Sequence, residues 1–285
     1  IIQAGISKVV YAVHDPNARV SENPARPLLE AQGISVVEGV CEEEARSINS
    51  FFFKNMKQAL PYVHLKVGMS LDSKIALSHG ESQYITSEAS RRHVHQLRAQ
   101  VQGIIVGIKT VIQDDPQLTV RFDLSCHQQP TVIILDSQGR LSPEASLLQG
   151  VKGGAERQVL LLCDQARVSE ISERPWPGCV SVVGVPRSES GLAWEGVLSI
   201  LYQRGFCNVM IEGGAGVFTS AIDQDIVDCL HLYTAPVVLG DQALSFYRGS
   251  EKERLSSVQR LGFRLVSSLT LDTDSYQRLE KPVTV

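Results

Sequence analysis

The order of hydrophobic and polar positions predicts alternating strands and helices. Residues 7–15, SKVVYAVHD, are a short apolar run that ends in the turn signal DPN. ARPLLEAQGISVVEG then reads as a short helix, a glycine stop and a second strand, and CEEEARSINSFFFKNMKQ has helical spacing with an acidic first turn. The extended run LPYVHLKVGMSLD follows a proline. These patterns predict a small α/β unit over residues 1–58 and a second unit over residues 59–285.

The second unit repeats the alternation of strands and helices but ends in a predicted hairpin. SEASRRHVHQLRAQ is an amphipathic helix with Thr86 or Ser87 as its N-cap, and LAWEGVLSILYQRG is a helix that ends at Gly205. Buried strands are predicted in VQGIIVGIKTVI, which runs into a helical turn, and in PTVIILDSQG, RQVLLLCD, CVSVVGV and the long run IVDCLHLYTAPVVLG. The tail FRLVSSLTLDTDSYQRLEKP alternates across DTD, which indicates an antiparallel hairpin. The fold class is therefore α/β, with a mixed sheet that is parallel in the centre and antiparallel at one edge.

Composition excludes several classes of function. The chain has 285 residues, 43% of them hydrophobic and 20% charged, and a formal net charge of −4. These values are typical of a soluble protein and favour neither nucleic acid nor an anionic membrane as partner. No apolar run approaches the roughly 20 residues of a membrane span, and the opening residues lack a signal-peptide pattern.

The cysteines and histidines predict no metal site. The six cysteines form no C-x-x-C and several lie in apolar runs, which is typical of reduced, buried thiols in a cytoplasmic protein. The seven histidines do not cluster along the chain.

The most specific local motif is VMIEGGAGVF, residues 209–218. A buried strand ends at Glu212, and glycines then allow a tight turn before a helix begins. Such a turn can present backbone N–H groups to a phosphate, although an ordinary strand–helix turn has the same pattern. Glu212 favours a site, because α/β sheets build their sites at the carboxyl ends of strands.

Three further patterns have both a plain and a functional interpretation. Lys66 lies in an apolar strand and either faces solvent at an edge or points inward to a carboxylate. The basic helix with Arg91, Arg92 and Arg98 is either a solvated face or a source of arginines for a phosphate. VIQDDPQLTVR, residues 111–121, is either a helix end decorated with solvated acids or the rim of a site.

Taken together and in this order, HLKVGMSLDSKIA, GESQYITS, RRHVHQLRA, TVIQDDPQLTVR, VIILDSQGR and IEGGAG resemble one family. It is the family of bifunctional riboflavin-biosynthesis enzymes that combine a pyrimidine deaminase domain with a reductase domain, and the resemblance covers essentially the whole chain. It implies a dihydrofolate-reductase-like fold. It also implies NADPH-dependent reduction of the ribosyl group of 5-amino-6-(5-phosphoribosylamino)uracil to the ribitylamino compound.

The resemblance assigns roles to particular residues. The catalytic positions that it implies are Lys66, Asp114 and Glu212, which we expect to form one charge cluster. The substrate-binding positions are Ser82, Arg98, Leu118, Arg121 and Glu212, with the two arginines holding the substrate phosphate. The NADPH-contacting positions are Gly68, Tyr84, Thr110, Asp114, Ser137, Gly214, Ala215, Gly216, Val217, Phe218, Thr219 and Ser220. Ser137 and the nearby Arg140 suit a 2′-phosphate, whereas Asp136 beside them would suit NADH instead.

Residues 1–58 resemble the C-terminal part of the family's cytidine-deaminase-like domain. The zinc site of such domains needs H-x-E followed by P-C, and neither motif stands in residues 1–58. The resemblance therefore implies zinc only in a deaminase part that these residues lack, and it also implies a cytoplasmic homo-oligomer with a small-molecule substrate. The alternatives are a dihydrofolate-reductase-like reductase of another pteridine or pyrimidine, and a non-catalytic nucleotide-binding relic.

Overall fold

The computed structural model describes residues 1–17, 20, 24–122, 128–149, 157–189, 191–249 and 261–282. The chain forms two compact units, the first extending to Tyr62 and the second spanning Val63–Pro282. Among the described residues no helix has both the length and the apolar character that crossing a bilayer requires.

The first unit contains a two-stranded parallel sheet. Strand β1 (Lys8–Tyr11) pairs in parallel with β2 (Ser35–Glu38), and helix α1 (Ala25–Ala31) lies between them in the sequence. Helices α2 (Glu42–Ile48) and α3 (Ser50–Gln58) follow. The sequence predicts one continuous helix here, but the structure breaks it at Asn49, whose side-chain amide donates to the carbonyl of Ala45. Asparagine competes in this way with the helical hydrogen bonds of the backbone.

The second unit is built on a nine-stranded mixed sheet. Its strands and helices, in chain order, are β3 (Tyr62–Ser70), β4 (Lys74–Ala76), α4 (Glu88–Arg98), β5 (Gly103–Gly107), α5 (Ile108–Asp114), β6 (Thr131–Leu135), β7 (Val159–Asp164), α6 (Val168–Ser172), β8 (Val180–Val185), β9 (Arg187–Ser188), β10 (Gly191–Leu192), α7 (Trp194–Gln203), β11 (Asn208–Ile211), α8 (Ala215–Asp223), β12 (Cys229–Ala235), β13 (Leu244–Ser245), β14 (Arg264–Leu271) and β15 (Asp274–Glu280). The large sheet has the order β14-β15-β12-β3-β11-β5-β6-β7-β8.

The pairing directions confirm a parallel centre and an antiparallel edge. The run β11-β5-β6-β7-β8 is parallel, as is the β12–β3 pair, whereas β15 is antiparallel to both β12 and β14. The central strands are almost continuously apolar because both of their faces are covered. Ile104, Ile134 and Leu161 are fully buried in this core.

The long strand predicted over residues 226–240 is shorter in the structure and ends at Ala235. Pro236 has no N–H to donate to a neighbouring strand. Beyond it, the backbone N–H groups of Leu239 and Gly240 donate to the carboxylate of Asp72. The residues after Ala235 therefore form a loop fixed by a side chain.

The tail hairpin is confirmed, and it holds the start of α4. Ser87 is the N-cap and accepts from the N–H of Ser90. Asp274, at the start of β15, is 1% exposed and accepts from the Ser87 N–H at 2.7 Å and the Ser90 hydroxyl at 2.6 Å. A buried carboxylate at a helix N-terminus is favourable because of the helix dipole.

A hydrogen bond from a tryptophan side chain links helix α7 to helix α8. The indole N–H of Trp194 donates to Ser220 Oγ at 2.9 Å, and Trp194 is 2% exposed. Cys126 lies outside the described residues, and the other five cysteines are free thiols. Cys163 and Cys229 are buried as predicted, but Cys41 and Cys207 are exposed, because an apolar run in the sequence does not fix on which side of the fold a thiol lies.

Candidate active site

A cavity of about 340 Å³ lies within the second unit. It is lined by residues of β3, α4, α5 and the turn after β11. The structure brings twelve of the predicted site residues to it: Lys66, Gly68, Ser82, Tyr84, Arg98, Thr110, Asp114, Leu118, Arg121, Glu212, Gly214 and Phe218.

Glu212 is the centre of a buried charge network. Arg98 holds the carboxylate by two bonds, Nε to Oε1 at 2.6 Å and Nη2 to Oε2 at 2.9 Å, and Lys66 Nζ lies 3.3 Å from Oε2. Glu212 is 4% exposed. Burial alone would raise the pKa of this carboxyl group, but the positive charges of Arg98 and Lys66 outweigh burial and hold the pKa well below its usual range. Glu212 is therefore ionised at neutral pH and fixes both cations.

The guanidinium of Arg98, an expected phosphate ligand, already makes several hydrogen bonds within the protein. Besides Glu212, its Nη1 donates to the carbonyl of Thr119 at 3.0 Å, and its side chain is 11% exposed. The guanidinium is thus engaged within the protein, and its contact with a substrate stays a prediction.

Arg121 differs from Arg98 because its guanidinium is available. It lines the cavity and is exposed, and within the described part of the chain its side chain has no ion pair. The backbone N–H of Arg121 donates to His95 Nδ1 at 3.0 Å. Burial first, and then the charges of Arg98 and Arg121, lower the pKa of His95 to about 4, so the ring is neutral and can accept this bond.

The loop before Arg121 explains the acidic pair in VIQDDPQLTVR. Helix α5 ends at Asp114, and Asp115 and Leu118 both have positive φ, at 40° and 49°. Asp115 accepts from the hydroxyl of Ser146, so it braces the loop rather than facing the cavity.

Asp114 does not join the charge network. It lines the cavity, but within the described residues its carboxylate makes no ion pair, and burial raises its pKa. The expected Lys66–Asp114–Glu212 cluster is therefore wrong in its membership, because Arg98 takes the third place. Two strands, β4 and β5, and helix α4 lie between Lys66 and Asp114 along the chain, and spacing along the chain does not measure their distance in the fold.

The glycine turn after β11 is packed too closely for larger residues. Gly213 has φ 138°, and a Cβ there would lie 3.0 Å from Val106 Cγ2. The N–H of Gly214 donates to Thr110 Oγ1 at 2.9 Å. Helix α8 begins at Ala215, and its N-cap residue Gly214 provides no side-chain cap. Thr110 thus fixes the turn. The N-cap residue of α8 has no side chain, so the backbone N–H groups of the first helical turn receive no side-chain cap from it.

The other predicted cofactor residues do not line this cavity. They are Ser137, Ala215, Gly216, Val217, Thr219 and Ser220. Thr219 Oγ1 accepts from the N–H of Arg248, and Ser220 accepts from Trp194. Near Ser137, Arg140 Nε lies 3.5 Å from Asp136 Oδ1, and Asp136 is fully buried.

One helix face supplies Val94 and His95, two cavity residues that sequence reasoning missed. They line the cavity together with Arg91 and the predicted Arg98 of the same helix, α4. Their spacing at i, i+3, i+4 and i+7 places them on one face and was the available signal. The Arg91 guanidinium lies over the ring of Tyr84, 4.1 Å from its centroid, and Tyr84 is 70% exposed.

Comparisons with known proteins agree on one family. The model of the RibD C-terminal domain matches residues 61–276. The riboflavin biosynthesis protein RibD of Aquifex aeolicus is 35% identical over 272 residues, which is 93% of this chain and 73% of that protein. The Escherichia coli protein of the same name is 33% identical over 275 residues, 93% of this chain and 72% of that protein.

Solved structures agree. The Thermotoga maritima diaminohydroxyphosphoribosylaminopyrimidine deaminase/5-amino-6-(5-phosphoribosylamino)uracil reductase superposes with a TM-score of 0.77 at 29% identity, covering 99% of this chain and 73% of that one. Acinetobacter baumannii RibD gives a TM-score of 0.75 at 31% identity, covering 98% and 74%. The predicted dihydrofolate-reductase-like α/β fold is thereby confirmed.

Proposed function

We propose that this chain, which belongs to the RibD family, is the reductase of riboflavin biosynthesis. Its reaction is the NADPH-dependent reduction of the ribosyl group of 5-amino-6-(5-phosphoribosylamino)uracil to the ribitylamino compound. The observation that carries the proposal is the pairing, in one cavity, of the unengaged Arg121 guanidinium with the fixed Lys66–Glu212–Arg98 network.

Arg121 is the proposed ligand of the substrate phosphate. A guanidinium makes planar, charge-assisted bonds to phosphate oxygens, and this one has no competing carboxylate among the described residues. Arg98 supports the same end of the cavity while Glu212 holds it in place. Ser82 and Leu118 line the cavity as proposed substrate contacts.

Lys66 is the proposed proton donor, directly or through a water that it orients. A proton on the ring oxygen assists opening of the ribose ring, which leaves an imine at C1′, and a proton on the imine nitrogen then makes C1′ electrophilic. Glu212 keeps the ammonium of Lys66 pointed into the cavity, at 3.3 Å. Asp114 is a second proposed catalytic group, and its raised pKa brings it nearer to holding a proton than an exposed aspartate.

The residues present fit NADPH, which supplies the hydride. The N-terminus of α8 has no side-chain cap, and the turn before it accepts only glycine at position 213, so backbone groups can lie close to a diphosphate. Gly68, Tyr84, Thr110 and Phe218 line the cavity beside this turn. Ser137 and Arg140 are the proposed 2′-phosphate contacts, with Arg140 partly held by Asp136.

We further propose that residues 1–58 are the C-terminal part of a deaminase domain and residues 59–285 the reductase domain, in a cytoplasmic homo-oligomer. A zinc-dependent deaminase activity then belongs to the complete domain. The alternatives are reduction of another pteridine or pyrimidine and non-catalytic nucleotide binding. A substrate without phosphate has no use for Arg121, which favours the phosphoribosyl compound.

Steady-state turnover with the phosphoribosylaminouracil and either NADPH or NADH tests the proposal. We expect oxidation of NADPH with a higher kcat/KM than NADH, and loss of about 100-fold or more in kcat for Lys66→Met, the usual range for general acid–base groups. Lys74→Met is the matched control, since Lys74 bonds Ser245 and does not line the cavity. Turnover of an unphosphorylated pteridine at equal kcat/KM would favour the first alternative, and absence of any turnover the second.

A further inference from the structure

Three potential metal ligands meet on the sheet away from the cavity. His64 lies on β3, and Cys229 and His231 lie on the neighbouring β12, where Cys229 is directly opposite His64. His64 Nδ1 is 3.0 Å and Cys229 Sγ is 3.3 Å from His231 Nε2, and the three ligand atoms all lie within 4.8 Å of one another. We propose that His64, Cys229 and His231 bind one Zn²⁺ ion.

Two of the three distances between the ligand atoms are close to the edges of a tetrahedral zinc site, and the third is below 4.8 Å. Bonds of about 2.0–2.3 Å to imidazole nitrogen and thiolate sulfur place tetrahedral ligand atoms roughly 3.3–3.7 Å apart. The contacts of 3.0 Å and 3.3 Å are slightly shorter than such edges. A small outward movement of side chains would therefore accommodate the ion, without a change in the pairing of the strands.

Hydrogen bonds among the three ligand atoms satisfy these atoms less well than a bound metal ion would. His231 Nε2 has either one lone pair or one hydrogen, so it can complete only one of its two short contacts as a hydrogen bond. A cation at the centre interacts with both nitrogen lone pairs and with the thiolate at the same time. Imidazole and thiolate are also the ligands that Zn²⁺ prefers, whereas Mg²⁺ and Ca²⁺ require oxygen.

A neighbouring side chain orients His231. Tyr276 OH lies 2.9 Å from His231 Nδ1, and the two rings are stacked with an interplanar angle of 18°. With Nε2 on the metal, Nδ1 carries the hydrogen and donates it to the tyrosine oxygen. Metal-bound histidines almost always make such a second bond, which fixes the tautomer.

Burial and charge are compatible with the ion. His231 is 2% exposed and Cys229 is fully buried, while His64 is half-buried and gives a route to the ligands. On the adjacent β15, Arg278 pairs with Glu280 and also hydrogen-bonds the sulfur of Cys229, so its guanidinium lies beside the site and favours the thiolate form of this ligand. A thiolate at Cys229 neutralises one of the two charges of the ion.

The spacing along the chain predicts no metal site, and this proposal revises that prediction. His64 and His231 are 167 residues apart, and the pairing of β12 with β3 brings them together. The family's deaminase zinc motif is not involved.

Cobalt(II) titration of the metal-free 285-residue chain tests the proposal, because cobalt occupies zinc sites and reports a bound thiolate by charge-transfer absorption in the near ultraviolet. We expect one cobalt per chain with this absorption, which Zn²⁺ then displaces. Cys229→Ser should abolish the absorption, and His231→Asn should weaken binding at least tenfold. The control Cys41→Ser/Cys207→Ser removes the two exposed cysteines and should bind as the wild type does.

Absence of one-per-chain binding in the wild type would overturn the proposal, as would absorption that survives Cys229→Ser or disappears in the control. If Cys229→Ser or His231→Asn does not fold, X-ray absorption of the zinc-loaded wild type and control decides instead. One sulfur and two imidazole nitrogens support the site, and a shell of oxygen alone refutes it.

Discussion

Arg98 and Arg121 both line the cavity, but only Arg98 forms an ion pair among the described residues. Arg98 is fixed by Glu212 and by the Thr119 carbonyl, whereas Arg121 is held through its backbone, by His95. A side chain with an anchored backbone and an unpaired guanidinium loses little freedom when it binds an anion. The two arginines therefore predict different consequences of mutation.

We expect Arg121→Ala to raise the KM for the substrate about 10- to 150-fold and to leave the KM for NADPH nearly unchanged. A hydrogen bond to a charged group contributes about 1.5–3 kcal/mol, and about 1.4 kcal/mol corresponds to a tenfold change in affinity. Arg121→Lys should recover part of the loss, since an ammonium makes no planar two-point contact. Arg92→Ala is the control, because Arg92 is exposed and does not line the cavity. An unchanged substrate KM in a folded Arg121→Ala protein would place the phosphate elsewhere.

His95 predicts a dependence of stability on acid pH. Its pKa in the fold is about 4, below the ordinary 6.5, so between these values the unfolded chain binds a proton that the folded chain does not. Stability is therefore lost as pH falls from 6.5 to 4, by about 3 kcal/mol in the limit.

Replacement with Gln removes this titration while leaving an acceptor for the Arg121 N–H. The difference in unfolding free energy between wild type and His95→Gln should shrink by about 2–3 kcal/mol between pH 7 and pH 4.5, measured by urea denaturation. A difference that stays constant with pH would mean that folding does not lower the pKa of His95.

At the scale of elements, the hairpin β14–β15 and helix α4 depend on each other through Asp274. The carboxylate satisfies two donors at the first turn of the helix that carries His95 and Arg98. Removing it leaves a buried N–H and a hydroxyl without this acceptor, which costs about 1–3 kcal/mol, and removes a favourable helix-dipole interaction.

Asp274→Ala should lower the midpoint of thermal unfolding by about 2–12 °C, since roughly 1 kcal/mol corresponds to 2–4 °C in a unit of this size. The KM for the substrate should rise as well, because the N-terminal end of α4 loses its anchor. Asp241→Ala, in an exposed loop, should change stability by less than about 0.5 kcal/mol. Equal midpoints for the two variants would show that the caps of α4 are sufficient without Asp274.

Elements were predictable where a local pattern decides them. The parallel strands are continuous apolar runs, the tail hairpin alternates, and Ser87 stands before an amphipathic helix. The break at Asn49 and the end of β12 at Ala235 depend on single side-chain contacts, so a hydrophobic pattern does not reveal them. In the site, Glu212 and Lys66 could be expected together, but their partnership with Arg98 requires the position of α4 over the sheet, which the sequence does not encode locally.

At the scale of the molecule, every described residue that lines the cavity belongs to the second unit. The residues proposed for the reduction therefore all lie in that unit. An H-x-E triplet does occur in the second unit, at residues 79–81, but His79 bonds Glu81 on the surface, with both side chains more than 60% exposed, and no P-C dipeptide follows.

We therefore expect the 285-residue chain to release no ammonia from the diaminohydroxyphosphoribosylaminopyrimidine, even with added Zn²⁺. The deaminase mechanism needs a zinc-activated water with a glutamate as proton carrier, and the first unit contains no H-x-E with P-C. Reduction of the deaminated compound by the same preparation is the control for an intact protein. Ammonia release that depends on Zn²⁺ would show that another set of residues can activate water.

The bond between Trp194 and Ser220 has a spectroscopic consequence. The chain has two tryptophans, and neither Trp176 nor Trp194 lines the cavity. Trp194 is tied to α8, the helix that begins at the glycine turn. In a Trp176→Phe protein, all indole emission comes from Trp194, and reduced nicotinamide absorbs at the wavelengths of that emission. Quenching of this one fluorophore then follows cofactor binding in real time, without a dye or a label.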